Sequence, residues 1–65
     1  MKISIRERRL ALNMTQLELA AITGINNSSI SNYEDGKHYP NANNARKLAD
    51  ALGCTIDDLY PKENE

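Results

Sequence analysis

The sequence predicts an all-α fold, a compact bundle of five helices. Apolar residues recur at spacings of three and four, as in Leu19, Ala20, Thr23 and again in Ala45, Leu48, Ala49, Leu52. Each such stretch opens on a residue that caps helices, and Gly24, Gly36 and Gly53 stand where three of them should stop. Sixty-five residues allow one small domain, which we place at residues 1–60.

The first helix is expected over about residues 4 to 13, because Ile5, Arg9 and Leu12 share a helical period and Ser4 stands three before Glu7. Asn13 ends it and Met14 packs under the turn. Arg9 lies on the apolar side, where its plainest reading is a solvated charge. Thr15-Gln16-Leu17-Glu18 is a capping box that starts the second helix near Gln16, and Gly24 closes it. Ile25 plugs the turn, Asn26 caps the third helix, Ile30 and Tyr33 form its inner face, and Gly36 ends it. A small Ala20, then Gly24, Ile25, Ile30 and Tyr33, is what two helices crossing steeply over a short turn require.

Leu17, Ala21 and Ile22 fall off that inner face and make a small apolar patch, either plain surface or a partner contact. Asn26-Asn27-Ser28-Ser29 has almost no apolar content, which suits a solvated helix start. Short amides and hydroxyls there also suit a DNA major groove, where Asn can pair with adenine through two hydrogen bonds. Gly36 to Pro40 is a loop in which Lys37, His38 and Tyr39 offer donors to phosphate. Asn41 caps the fourth helix. Thr55 caps a short fifth helix over residues 56 to 60, with Ile56 and Leu59 closing the core. Residues 61–65 are charged and are expected to fray.

Composition narrows the chemistry. One Cys and one His provide no disulfide framework and no zinc-ligand spacing, so no metal or cofactor is expected. No nucleophile is paired with a base, and so short a chain has little room for a closed pocket, which argues against an enzyme. No apolar run is long enough to span a membrane and residues 1–4 do not form a signal peptide, so a cytoplasmic, reducing location is expected. The formal net charge of −1 counts against nucleic-acid binding. Its distribution counts less so: residues 1–40 carry five basic side chains against four acidic, and residues 41–65 carry three against five.

Thr15-Gln16, Leu19-Ala20, Gly24-Ile25, Ser29-Ile30-Ser31, Tyr33-Glu34 and Gly36-Lys37, in that order and spacing, resemble the helix-turn-helix of the phage repressor and Cro (XRE) family. The resemblance runs on through Pro40, the helix around Leu48 to Gly53, and Thr55 to Tyr60, so it covers nearly the whole chain. It implies a five-helix domain of the lambda-repressor-like type and a sequence-specific double-stranded DNA-binding regulator of transcription, a repressor, acting on a pseudo-palindromic operator. It implies that the third helix enters the major groove, with Asn27, Ser28 and Asn32 at base edges. Thr15, Gln16, Ser29, Lys37, His38 and Tyr39 would meet phosphate. Arg9 and Glu34 occupy the positions of a structural ion pair. Thr23 departs from the family's usual aliphatic residue, implying looser packing, and Asp35 stands where the family commonly has Asn or a basic residue.

A homodimer is expected, because one such module covers too little DNA for tight specific binding. Leu52, Cys54, Ile56 and Tyr60 are its expected interface, unless they simply finish a monomer's core. The alternative function is an antitoxin or anti-repressor module on the same fold, binding a protein such as a toxin through the apolar patch.

Overall fold

The computed structural model describes residues 3–60. Among these the chain forms five helices and no strand: α1 (Ile5–Ala11), α2 (Gln16–Thr23), α3 (Asn27–Asp35), α4 (Ala42–Leu52) and α5 (Ile56–Leu59). The expected frayed tail, residues 61–65, lies outside the described residues. The first helix is shorter than the 4–13 expected, and Tyr60 lies just beyond the last one in extended conformation.

Side-chain oxygens set most of the helix starts. Thr15 Oγ1 accepts from the Glu18 N–H at 3.0 Å, while the Thr15 N–H donates to Glu18 Oε1 at 2.8 Å. Thr55 and Asp58 make a second reciprocal box, with both bonds at 3.1 Å. Asn26 Oδ1 and Asn41 Oδ1 each accept from the N–H three residues on, at 2.8 Å. Such caps satisfy donors that the helix itself leaves unpaired.

Ser4 does something else. Its side chain makes no cap; the hydroxyl lies 3.1 and 3.0 Å from the carbonyl oxygens of Asp58 and Leu59, and its N–H donates to Leu59 at 2.6 Å. The segment leading into α1 is thereby tied to α5 at Ser4, and Ile3, outside any helix, becomes a core residue.

The turns between helices use left-handed backbone. Gly24 sits at φ 76°, and a Cβ there would meet nothing within 4 Å, so only the backbone conformation asks for glycine. Asn13 takes φ 56°, which Asn tolerates better than most residues, and this stops α1.

The helices enclose one core: Ile3, Ile5, Leu19, Ile25, Ile30, Tyr33, Leu48, Ala49, Leu52 and Leu59. α2 packs on α3 and α4, α5 closes on α4, and α1 lies against α3 and α4. Ile5, Leu19, Ile30, Leu48 and Leu59 are fully enclosed, each worth about 1.5–3 kcal/mol against exposure. Two expected core residues are not in it. Leu12 follows the end of α1 and is 50% exposed, and Ile56 at the start of α5 is 38% exposed, leaving Leu59 to close the core.

Thr23 has a bonding role in the turn that an aliphatic residue would lack. Its hydroxyl donates to the Leu19 carbonyl at 2.8 Å and accepts from the Ile25 N–H at 3.2 Å, so it satisfies a buried donor in the turn. Losing that acceptor should cost about 1–3 kcal/mol. Thr23→Ala is therefore expected to melt well below Thr23→Ser, which keeps the hydroxyl; equal midpoints in thermal denaturation would contradict the role.

Candidate nucleic-acid interface

The site is built on a buried polar network. Arg9 of α1 reaches across to Glu34 of α3, with Nε donating to Oε2 at 2.8 Å and Nη2 to Oε1 at 3.1 Å. The two side chains are 10% and 3% exposed. Arg9 also donates through Nη1 to the Met14 carbonyl at 2.8 Å, bracing the turn between α1 and α2. The hydrogen bond to the Glu34 carboxylate holds the guanidinium pKa above its ordinary value, against the effect of burial.

Gln16 joins the network. Its Nε2 donates to Glu34 Oε1 at 3.1 Å, so Glu34 accepts three hydrogen bonds from two other elements. Gln16, expected to meet a phosphate, thus has one amide hydrogen turned inward to Glu34 and one uncommitted. Thr15 is similarly committed, since its hydroxyl oxygen accepts in the capping box and has only its own proton left to donate.

Above the network lies the outer face of α3. Asn27 and Ser28 are exposed, while Ser29 and Asn32 are half-buried. Ser28 and Asn32 are four apart and line up along the helix, with the exposed Asp35 three residues further. The carboxylate that would repel phosphate thus stands at the end of the row. Ser31, part of the motif but given no site role in the sequence, is half-buried and four residues from Asn27.

The loop after α3 is pinned at both ends. The Lys37 and His38 N–H groups donate to the Asn32 carbonyl at 2.9 and 3.4 Å, and Pro40 is buried. Lys37, His38 and Tyr39 are exposed between these anchors. Tyr39 sets its ring against Tyr60, with centroids 6.3 Å apart and planes at 41°. Behind α3, the Asn44 amide donates to the Tyr33 hydroxyl at 3.1 Å and fixes α4 to its inner side.

The expected dimer residues divide. Leu52 is buried in its own domain, Cys54 and Tyr60 are half-buried, and Ile56 is exposed. Burial pushes the Cys54 thiol pKa up, with Arg8 opposing and Asp58 adding to the rise, so the thiol stays protonated near neutral pH. On the far side, Leu12, Asn13, Met14, Glu18, Ala21 and Ile22 line an open groove of about 360 Å³. Ile22 in its lining is 60% exposed, and Leu17 on the same helix is 69% exposed. Among the described residues no three His, Cys, Asp or Glu side chains are grouped to hold a metal ion. No helix there is long and apolar enough to cross a membrane.

Two helices at a glycine turn, with a capped polar helix held outward by a buried ion pair, define a helix-turn-helix domain. A family model described as helix-turn-helix matches residues 5–59, and the chain belongs to that family, of the phage repressor and Cro (XRE) type. Over 61 residues it is 43% identical to the cryptic phage CTXphi transcriptional repressor RstR of Vibrio cholerae, covering 91% of this chain and 54% of that protein. The chain therefore spans about half the length of that relative. It is 37% identical over 65 residues to an HTH-type transcriptional regulator of Archaeoglobus fulgidus, covering 100% of this chain and 93% of the relative. The crystal structure of the P22 c2 repressor in complex with synthetic operator 9T superimposes with a TM-score of 0.83 at 38% identity, covering 86% of this chain and 85% of that one.

Removing one member of the buried pair strands the other's charge, at about 3–5 kcal/mol. Glu34→Gln should therefore lower the melting midpoint by tens of degrees, since each kcal/mol moves a domain of this size by about 4–8 °C. A midpoint within a few degrees of the parent protein would mean that the pair carries no such weight.

Proposed function

We propose that the chain binds double-stranded DNA sequence-specifically and regulates transcription as a repressor. The observation that carries this reading is the face of α3: a row of neutral amides and hydroxyls, Asn27, Ser28 and Asn32, on a helix that Arg9, Glu34 and Gln16 hold to the start of α2. That chemistry matches base edges in the major groove, where a good bidentate pair gives about 1–3 kcal/mol of discrimination. The relatives named as transcriptional repressors or regulators, and the operator complex of the P22 c2 repressor, support it.

In this mechanism α3 lies in the groove and the flanking donors fix its register. The second amide hydrogen of Gln16, the free proton of Thr15, and Ser29, Lys37, His38 and Tyr39 face phosphates on either side. Few cations are involved, so affinity rests less on counterion release than is usual. A symmetric homodimer on a pseudo-palindromic operator supplies the remaining area. Its contact centres on Ile56 and the exposed part of Tyr60, because Leu52 is already used inside the monomer. A cytoplasmic location accords with this role.

The groove lined by Ala21 and Ile22, with the exposed Leu17 on the same helix, supports a second reading, in which the same domain docks an anti-repressor or a toxin through that face. Selection of a duplex from a random pool at low salt separates the two, because only the first requires a consensus.

On the selected duplex, Asn27→Ala and Asn32→Ala are each expected to lose about 1–3 kcal/mol of discrimination between the consensus and its substituted bases. Lys37→Ala should weaken all sequences alike and reduce the salt slope by about one unit. Equal losses on consensus and random duplexes for the Asn variants would remove them as base readers. Sedimentation at micromolar concentration tests the assembly: a dimer is expected for the parent and a monomer for Ile56→Glu. A dimer that survives the change would move the contact elsewhere.

A further inference from the structure

We infer that the outer face of α2, centred on Ile22, is a second self-association surface, whose occupant is the same face of another copy of this chain. α2 is apolar on both sides: Leu19 is enclosed in the core, while Leu17, Ala21 and Ile22 are exposed. A helix apolar all round is normally covered on every side. Ile22 lines two grooves at once. The first is the groove described above, which it shares with Leu12, Met14, Glu18 and Ala21. The second is also open, at about 350 Å³, and is lined from α2 and α4 by Ile22, Thr23, Lys47, Asp50 and Ala51.

The two grooves complement each other, which is what a two-fold contact needs. With the axis lying in the contact beside Ile22, the first groove of each copy meets the second groove of the other. Leu12, Met14 and Ala21 then cover Ile22 and Ala51, and the exposed Glu18 and Lys47 form an opposite-charge pair twice over. Asp50, also in the second groove, faces a groove that offers the neutral Asn13 amide as a donor. A strongly charged partner gains little from walls that carry Glu18, Asp50 and Lys47 together, whereas copies with a net charge of −1 repel one another only weakly. No residue of either groove belongs to α3, to the loop after it or to α5, so the contact joins the dimers proposed above rather than competing with them. In that respect alone it rests on the proposed dimer. The modest apolar area places it among weak contacts, with a dissociation constant of roughly 0.1–1 mM.

Sedimentation equilibrium of Ile56→Glu, a monomer at micromolar concentration if α5 forms the first contact, tests the second at about 1 mM. The variant should be largely paired there. Adding Ile22→Glu should weaken the pairing about tenfold or more, because a charge is then set in an apolar contact. Charge reversal reads the symmetry. In the Ile56→Glu background, Glu18→Lys alone places like charges across both contacts, as does Lys47→Glu alone, so each should remain monomeric. An equimolar mixture of the two restores both pairs and should associate. Glu18→Lys also removes an acceptor from the capping box of α2. Should it melt below the assay temperature, Glu18→Gln keeps a box and should recover part of the pairing that Lys47→Glu loses. A dimer that persists at micromolar concentration in Ile56→Glu and is lost with Ile22→Glu supports this face over α5. A monomer at the higher concentration, pairing that ignores Ile22→Glu, or a mixture no more associated than its components overturns the inference and leaves the face to a different protein or to solvent. No step uses DNA, so the outcome stands whether or not a duplex is selected.

Discussion

The arrangement depends on one buried carboxylate. Glu34, at the end of α3, accepts from Arg9 of α1 twice and from Gln16 at the start of α2 once. Taking a carboxylate and a guanidinium out of water costs several kcal/mol per ion, and only good geometry with further hydrogen bonds offsets this. That geometry is present here, yet well-packed hydrophobic residues of similar volume often stabilise a fold as much as such a pair does. What apolar contact does not provide is a fixed direction. A planar fork meeting a carboxylate specifies how α3 is turned relative to α1, and the Gln16 amide extends the constraint to α2.

From that constraint the outer surface follows. Ile30 and Tyr33 are held inward, so Asn27 and Ser28 face out and Asn32 stays half-exposed. Gln16 carries one amide hydrogen on the network and one free, which places the proposed phosphate contact one bond from the carboxylate that orients the reading helix. The net charge of −1 gives little general attraction to DNA, so a rigid donor array matters more in this domain than in a strongly basic one.

Much of the fold was legible because caps and stops are local. Thr15 with Glu18, Asn26, Asn41 and Thr55 announce helix starts, and Gly24, Gly36 and Gly53 announce ends, without reference to the rest of the chain. The buried stripe of α4 was legible for the same reason. Failures came where a residue's neighbour is distant in sequence. Ser4 looked like a cap but is spent on the carbonyls of α5, and Ile3 is drawn into the core with it. Leu12 and Ile56 have the right period, but the helices end or begin there and the side chains remain in solvent. For the site, Arg9 and Glu34 stand 25 residues apart with no pattern joining them, and only the family resemblance pointed to the pair. Nothing in the sequence pointed to Gln16 as its third member or to Tyr60 against Tyr39.

If Glu34 sets direction rather than cohesion, stability and specificity should come apart when both charges are removed together. The Arg9→Met, Glu34→Leu double variant leaves no stranded charge, so it should recover most of the melting midpoint that either single change loses. Its preference for the selected duplex over random DNA should nevertheless fall, because α3 has lost its fixed angle against α2. A double variant that melts like the parent and keeps the parent's preference would contradict the orienting role of the pair.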